Sequence, residues 1–239
     1  MSIPRLHLDA PLAEGATIEA APGQAHHLGT VLRRAIGDSV RVFNAGDGEF
    51  EAVIAAMRKD RAQFTLGARR RGPAPEPECR LLIAVLKRDP MDWLVEKATE
   101  LGATLIQPVV TRRTIAERTN AQRLAAIARG AAEQCERLSV PVVAEALPLH
   151  RVLDAWDGAR LVVAMERSVA EPLRFLATAP GEPLALLVGP EGGFEAPELD
   201  DLRRRPFVVP AALGPRILRA ETAAVAGLAA LQAIVGDWT

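Results

Sequence analysis

Four short apolar runs alternate with helical patterns in the last two thirds of the chain, and this alternation constrains the fold more than any other feature. The runs cover residues 81–86, 104–110, 161–165 and 184–188. Apolar strands joined by helices are typical of a parallel sheet, because the crossover helices cover both of its faces. The pattern therefore predicts an α/β fold with a mostly parallel sheet.

The helical patterns between these runs are amphipathic. Residues 91–101 repeat apolar side chains at helical spacing, with Asp89 and Pro90 as a start and Gly102 as a stop. A second helix is predicted over residues 120–138, and its charged side chains indicate either a solvated face or an RNA contact.

A proline-rich stretch at residues 69–79 separates two differently patterned regions. Before it, three segments have the composition of short strands: residues 39–44, 49–57 and 63–68. The sequence thus predicts a small β-rich domain over residues 1–72 and an α/β domain over residues 73–239.

Composition excludes several classes of protein. Nearly half of the residues are hydrophobic and a quarter are charged, which is ordinary for a globular protein. The longest apolar runs are too short to span a bilayer and the amino terminus lacks a signal-peptide core, so we expect a cytoplasmic protein without a membrane partner. Two cysteines and four scattered histidines indicate neither a disulfide framework nor a metal site.

The last of the four apolar runs ends in a glycine-rich turn, GPEGG at residues 189–193, and a helix opens at residue 196. Glycine lets the backbone adopt a positive φ and approach a ligand closely, while the helix start offers free N–H groups. The spacing fits neither a P-loop nor a dinucleotide fingerprint. The turn is therefore either a site for a nucleotide-like ligand or a plain connection between a strand and a helix.

A second turn, LGPR at residues 213–216, leads into an apolar helix over residues 223–235. The helix itself is typical of core packing. Arg219 and Glu221 lie just before the amino-terminal end of this helix, where an unpaired charge beside apolar residues costs free energy. Each is therefore expected to have a partner or a ligand.

At these residues the chain resembles the ribosomal RNA small subunit methyltransferase E family, the 16S rRNA uracil-N3 methyltransferases of the SPOUT superfamily. Four stretches carry the resemblance: GPEGGF at residues 189–194, LGPRILRAETA at 213–223, KRDPMDWLVEKATELG at 87–102 and HHLGTVLR at 26–33. They lie in both halves of the chain, and the pairing of the first two is highly specific.

The resemblance implies a fold and a reaction that the residue pattern alone does not show. The amino-terminal domain would be a small PUA-like β-barrel that binds RNA. The carboxy-terminal domain would be a SPOUT domain with helices on both faces of its sheet and a chain threaded as a trefoil knot, against the usual rule for connections. The enzyme would be a homodimer that transfers a methyl group from S-adenosylmethionine to N3 of a specific uridine in 16S rRNA of the small ribosomal subunit.

The resemblance also assigns candidate residues. The backbone of the two turns would hold the donor, with residues 163–167 as a third and weaker loop. The donor-binding candidates are Leu187, Gly189, Pro190, Glu191, Gly192, Gly193, Leu213, Gly214, Ile217, Leu218 and Arg219. The candidate RNA contacts are Arg5, Arg33, Arg34, Lys87, Arg112 and Arg137. No metal is expected.

Arg219 and Glu221 are also the catalytic candidates. Methyl transfer is a displacement at carbon, so alignment of donor and acceptor supplies most of the acceleration. Uracil N3 becomes a good nucleophile as its proton leaves, so Arg219 would stabilise the charge on O2 and O4 while Glu221 orients it or takes the proton. A side chain of a second protomer is the alternative base. Glu191 would bond a ribose, hold Arg219, or cap the following helix.

Two other functions remain open. A different nucleotide-dependent enzyme would use the same turns, and a catalytically inactive RNA-binding or ribosome-assembly protein would keep the fold without the reaction. The net charge of −1 counts mildly against an RNA partner, although the first 72 residues carry a slight excess of basic side chains.

Overall fold

A computed structural model of the chain describes residues 3–20, 23–58, 61–115, 118–157, 160–165, 170, 172–173 and 182–238. Contacts within the chain define two compact units. The first consists of Met1–Pro75 together with Ala132–Val140, and the second of Glu76–Ala131 together with Pro141–Thr239.

The first unit is built on a sheet of five strands. The strands are β1 (Arg5–His7), β2 (Thr17–Glu19), β3 (Ser39–Asn44), β4 (Gly48–Arg58) and β5 (Arg61–Arg71), in the order β1-β3-β4-β5-β2. Only the β1–β3 pair is parallel among the described pairings, and the others are antiparallel. The three strands expected from the sequence are confirmed, and β4 shows why. Its buried Phe50, Ala52 and Ile54 alternate with exposed residues, as a half-buried strand requires.

The expected barrel is not closed within the described residues. The two short strands β1 and β2 form the edges of the sheet and do not pair with each other. A short helix, α1 (Gln24–His26), continues into a π-helical turn (His27–Val31), and its Ala25 and Leu28 belong to the same buried cluster as Ile54 and Phe64. Helical side chains therefore cover core surface that a barrel would enclose with further strand pairing.

The second unit contains a parallel sheet, as the alternating pattern predicts. Its strands are β6 (Cys79–Ala84), β7 (Leu105–Val110), β8 (Val142–Val143), β9 (Leu147–Pro148), β10 (Arg160–Ala164), β11 (Leu184–Val188) and β12 (Val208–Ala211). The order is β12-β10-β11-β6-β7-β8, with β9 also pairing with β7, and each described pairing is parallel. The four predicted strands are confirmed, with no end shifted by more than two residues.

Helices cover both faces of this sheet. They are α2 (Arg88–Glu100), α4 (Leu149–Asp154), α5 (Ala196–Arg204) and α6 (Ala220–Val235), and the chain also forms α3 (Ala121–Gln134), whose last three residues belong to the first unit. On β11, Leu187 packs in one cluster with Leu153 of α4 and Leu202 of α5, whereas Leu186 lies against Gly227 of α6. Neighbouring residues of a strand point to opposite faces. It follows that α4 and α5 lie on one face of the sheet, and that α6, which also contacts α2, lies on the other.

Candidate active site

Three loops follow adjacent strands at one edge of the parallel sheet. β10 pairs with β11 on one side and with β12 on the other, so that Val163 stands level with Leu187 and Pro210. The loops that leave these strands therefore start side by side at the carboxyl edge, where ligands of open α/β sheets bind. The two predicted turns, residues 189–193 and 213–219, are thus brought together. Of the third predicted loop, residues 166 and 167 lie outside the described part of the chain.

The first of these loops is a tight turn held close to the sheet. The backbone N–H of Gly193 donates to Pro190 O over 2.8 Å, and Gly193 has a φ of +70°. At Gly189 an added Cβ would lie 3.0 Å from ring carbons of Phe194, so any larger residue would displace that ring. Pro190 is buried, while Glu191 and Gly192 are exposed. The tip of the loop is consequently open to a ligand.

The helix after this loop supplies its own cap. The Glu198 carboxylate accepts the backbone N–H of Glu195, the residue before α5, over 2.9 Å, and its other oxygen accepts the N–H of Arg112 over 2.9 Å. The Glu198 side chain therefore satisfies one backbone N–H at the start of α5 and one in the loop after β7. Glu191 is therefore not the capping carboxylate, and within the described residues it has no hydrogen bond or ion pair.

The second loop leads into α6. Ile217 is 60% exposed, and Gly214 has a φ of +103°. Arg219 is the residue before the helix, and its carbonyl accepts the N–H of Ala223 over 2.8 Å. Glu221 lies in the first turn. In the part of the chain that the structure describes, the side chains of Arg219 and Glu221 have no hydrogen bond or ion pair.

The prediction for each of these charges is a partner or a ligand; neither has a partner side chain among the described residues, so the ligand stays a prediction. Arg219, in addition, lies outside the core. Its side chain is exposed at the end of the helix, so water can solvate the guanidinium without the cost of burial. Leu187 also differs from the other donor-binding candidates. Its side chain is fully buried in the core cluster below the loops, which leaves only its backbone available to a ligand.

Arg5, predicted as an RNA contact, is instead a buried structural residue. Its side chain is 4% exposed, and its Nε lies 2.6 Å from the Glu49 carboxylate. Its two terminal nitrogens donate to the carbonyl oxygens of Ala132, Glu133 and Arg137 over 3.0 to 3.1 Å. The guanidinium is buried and each of its three nitrogens already donates a hydrogen bond within the fold. The prediction of an RNA contact at Arg5 is therefore corrected.

The other predicted RNA contacts lie in different places. Arg33 is exposed and Arg34 half-buried, just after the π-helical turn of the first unit. Lys87 follows β6 and Arg112 follows β7, and both are exposed at the carboxyl edge that also carries the three loops. Arg137 is half-buried and donates to the Ser139 hydroxyl over 2.8 Å.

The sequence reasoning missed Arg113. This residue lies in the loop after β7, and its guanidinium donates to the carbonyl oxygen of Gly192 over 2.7 Å. The signal in the sequence was a pair of arginines directly after an apolar strand, at the edge where ligands bind. What the sequence could not give was the contact, because Gly192 is 79 residues away along the chain.

A cavity of about 350 Å³ opens beyond β7, beside this edge. It is lined by Val110, Thr111, Arg112, Leu149, His150, Leu153, Pro197, Glu198 and Asp201. Among the described residues, the lining comes from α4, α5, the end of β7 and the two residues after β7, and not from the loops at residues 189–193 and 213–219. The cavity is thus distinct from the site that these two loops form.

Two classes of feature are absent from the described residues. No cluster of three or more His, Cys, Asp or Glu side chains there is suited to a metal ion. None of the described helices is both long enough and apolar enough to pass through a lipid bilayer.

Comparison with known proteins identifies the class. Residues 74–232 match the family described as RNA methyltransferase domain, and residues 22–67 match the RNA methyltransferase PUA domain. The first match covers more than half of the chain, so the protein is an RNA methyltransferase.

Individual relatives identify the family within this class. The chain is 33% identical to ribosomal RNA small subunit methyltransferase E of Rickettsia conorii, over 96% of this chain and 95% of that protein. The crystal structure of ribosomal RNA small subunit methyltransferase E from Neisseria gonorrhoeae, bound to S-adenosylmethionine, superposes with a TM-score of 0.90 at 28% identity and full coverage of both chains. A Legionella pneumophila methyltransferase with bound S-adenosylmethionine gives a TM-score of 0.88 at 27% identity, over 98% of both chains. The chain belongs to the ribosomal RNA small subunit methyltransferase E family.

Proposed function

We propose that this chain transfers a methyl group from S-adenosylmethionine to N3 of a uridine in 16S rRNA of the small ribosomal subunit, in the cytoplasm. The observation that carries the proposal is the convergence of loops after β10, β11 and β12 at one edge of the sheet. Two of these loops contain the segments GPEGG and LGPRILR, on which the resemblance to the family rests.

The residues of these loops fit the donor. Adenine, ribose and a methionyl chain need apolar walls and exposed backbone amides more than charges. The turn at residues 189–193 offers an exposed tip around Gly192, and the second loop offers Leu213, Gly214 and the exposed Ile217. We assign the donor to these two loops. The cavity beyond β7, which carries four charged or titratable side chains, is given no donor role.

When bound, S-adenosylmethionine supplies an electrophilic methyl group, and the chain supplies alignment and charge. Arg219 stands at the amino end of α6, where its own charge and the partial positive charge of the helix both favour an anion. A uracil that loses its N3 proton spreads negative charge onto O2 and O4, which Arg219 would stabilise. Glu221, one turn into the same helix, would orient Arg219 or accept the proton. Each is free of ion pairs within the described residues, and so available for these roles.

RNA contacts are proposed at four basic residues. Lys87 and Arg112 lie at the same sheet edge as the loops, within reach of RNA whose target base has entered the site. Arg33 and Arg34 belong to the first unit, whose residues 22–67 match an RNA methyltransferase PUA domain. We therefore propose that residues 1–72 hold RNA and that residues 73–239 bind the donor and carry the reaction.

A homodimer is part of the same proposal. After Thr222, Gln232 is the one polar side chain in the sequence of α6, which is unusual for a helix with a solvent face. Thr222, Ala226 and Ala233 are nevertheless exposed in the single chain. A second copy that covers this face would remove the exposed apolar surface from water and place side chains of both chains near the loops.

The test is a methylation assay on isolated small subunits and on protein-free 16S rRNA, followed by mass-spectrometric mapping. The expected product is a single N3-methyluridine that requires S-adenosylmethionine. Calorimetry with S-adenosylmethionine, ATP and NAD separates the rival enzyme classes, because only the first should bind. Binding of RNA without any transfer would instead identify an inactive RNA-binding or assembly protein.

A further inference from the structure

The glycine loop is supported from outside by one arginine. Arg113 donates to Gly192 O over 2.7 Å, and its Nε lies 3.8 Å from the Glu195 carboxylate at the start of α5. The aliphatic part of the same side chain covers Gly192, because an added Cβ at that glycine would lie 3.3 Å from Cδ and 3.5 Å from Cβ of Arg113. Arg113 thus packs against the loop and bonds to it.

Among the described residues, Arg113 makes the side-chain hydrogen bond to the tip of this loop. Its internal hydrogen bond joins Gly193 N–H to Pro190 O, and its tip is exposed. A backbone with glycine at both Gly192 and Gly193 loses much conformational entropy when it is fixed. A charge-assisted hydrogen bond to the carbonyl between these two glycines restricts the backbone at that position. This contact lowers the free energy that a ligand must spend on ordering the loop.

The neighbouring arginine provides a contrast. Arg112 also follows β7, also carries an exposed guanidinium and also lies near Glu195, at 3.7 Å. Its described hydrogen bond to this region is made by its backbone N–H to Glu198, not by its side chain to the loop. Two adjacent arginines therefore share charge, position and an acidic neighbour, and they differ in the contact with Gly192.

We propose that Arg113 is a positioning residue, which holds the loop at residues 189–193 in the form that binds the methyl donor. This inference rests on the proposed function, because it assumes that the loop binds S-adenosylmethionine. The Glu195 carboxylate orients the Arg113 guanidinium. The oriented guanidinium in turn fixes the carbonyl of Gly192 by its hydrogen bond. The residue acts through the loop and does not touch the reacting atoms.

The first measurement needs no donor. Amide hydrogen exchange at Gly193 in the full chain reports the opening of the loop, because its N–H is bonded to Pro190 O. Arg113→Ala should speed this exchange roughly five- to tenfold, while Arg112→Ala leaves it unchanged. Both variants should unfold within about 2 °C of the wild type, since each removes an exposed side chain.

The second measurement is donor affinity by calorimetry. Arg113→Ala should raise the Kd for S-adenosylmethionine about tenfold, and Arg113→Lys, which keeps a donor for Gly192 O, should stay within about threefold of the wild type. Arg112→Ala should keep wild-type donor affinity, whatever its effect on RNA. Gly192→Ala should weaken donor binding less in the Arg113→Ala background than in the wild type, because the side chain that its Cβ meets has been shortened.

These outcomes separate the inference from the function on which it rests. Wild-type exchange at Gly193 in Arg113→Ala would overturn the inference, and so would faster exchange with unchanged donor affinity. An equal loss of S-adenosylmethionine affinity in Arg112→Ala would also overturn the inference, because the positive charge near the loop, and not the contact with Gly192, would then explain the loss. Failure of the wild-type chain to bind S-adenosylmethionine would refute the proposed function, whereas the exchange measurement would still report whether Arg113 holds the loop.

Discussion

The buried pair of Arg5 and Glu49 should be a major source of stability in the first unit. The two side chains are 4% and 3% exposed, and Arg5 also lies 4.1 Å above the centre of the Phe43 ring. Arg5→Ala removes one bond to a carboxylate and three to carbonyl oxygens. It leaves the Glu49 carboxylate with Arg71 at 2.9 Å and Arg41 at 3.7 Å as its remaining ion-pair partners. Breaking a buried pair of this kind costs about 3–5 kcal/mol. We expect a loss of about 4 kcal/mol in the free energy of unfolding.

A matched control lies on the same sheet. Arg70 and Glu51 are 3.0 Å apart, but their side chains are 52% and 55% exposed. A surface pair is worth about 0–1 kcal/mol, so Arg70→Ala should change stability by less than about 1 kcal/mol. The comparison holds the type of ion pair constant and changes only its burial.

The measurement must report on the first unit. The three tryptophans, at positions 93, 156 and 238, lie in the second unit, so fluorescence follows the wrong part of the chain. Amide hydrogen exchange of β4 under native conditions gives the opening free energy of the first sheet directly. If Arg5→Ala costs no more than Arg70→Ala, the assignment of Arg5 as a structural anchor is refuted.

Four further results are expected. Burial raises the pKa of Glu49, but hydrogen bonds and charges from Arg5 and Arg71 outweigh it and lower the pKa below its ordinary value. The stability from this pair is therefore complete above about pH 4.3 and is lost as the pH falls through the lower folded pKa, and Glu49→Gln should flatten this dependence in acid unfolding curves. Arg219→Ala should lower kcat by about 10²-fold with a smaller change in donor Kd, and equal losses would make it a donor-site residue. Gly214→Val should weaken donor binding by calorimetry, because its φ of +103° strains any branched side chain, and unchanged Kd would remove this loop from the site. Charge reversal at Arg33, or at the adjacent arginine, should reduce the slope of log affinity for RNA against log salt by about one per lost phosphate contact.

The sequence predicted those elements whose signal is local. β3 and β11 match their predicted bounds, because each is an apolar or alternating run between clear turns. β12 was missed because its four residues include Pro210, which argues against a central strand, and it does lie at the edge of the sheet. β1 and β2 have three residues each, too few for a periodic pattern.

The sequence predicts only those parts of the site that have a local signal. The glycine turn and the LGPR turn are visible as local sequence, and parallel strands bring them to one edge. The roles of Arg5 and Arg113 depend on contacts with residues far away along the chain, and burial of an arginine cannot be seen from its neighbours. Arg5 is predicted as an RNA contact, whereas its guanidinium bonds to one carboxylate and three carbonyl groups.

The division of the chain into two units affects the design of chimeric proteins. Because Ala132–Val140 belongs to the first unit, the polypeptide passes between the units at three points rather than one. A chimera that exchanges only the first 75 residues would inherit a foreign Ala132–Val140 segment, and the incoming Arg5 equivalent would have to match its carbonyl groups. Grafting of the first unit onto another domain therefore calls for a discontinuous exchange, in which Ala132–Val140 is transferred together with the amino-terminal sheet.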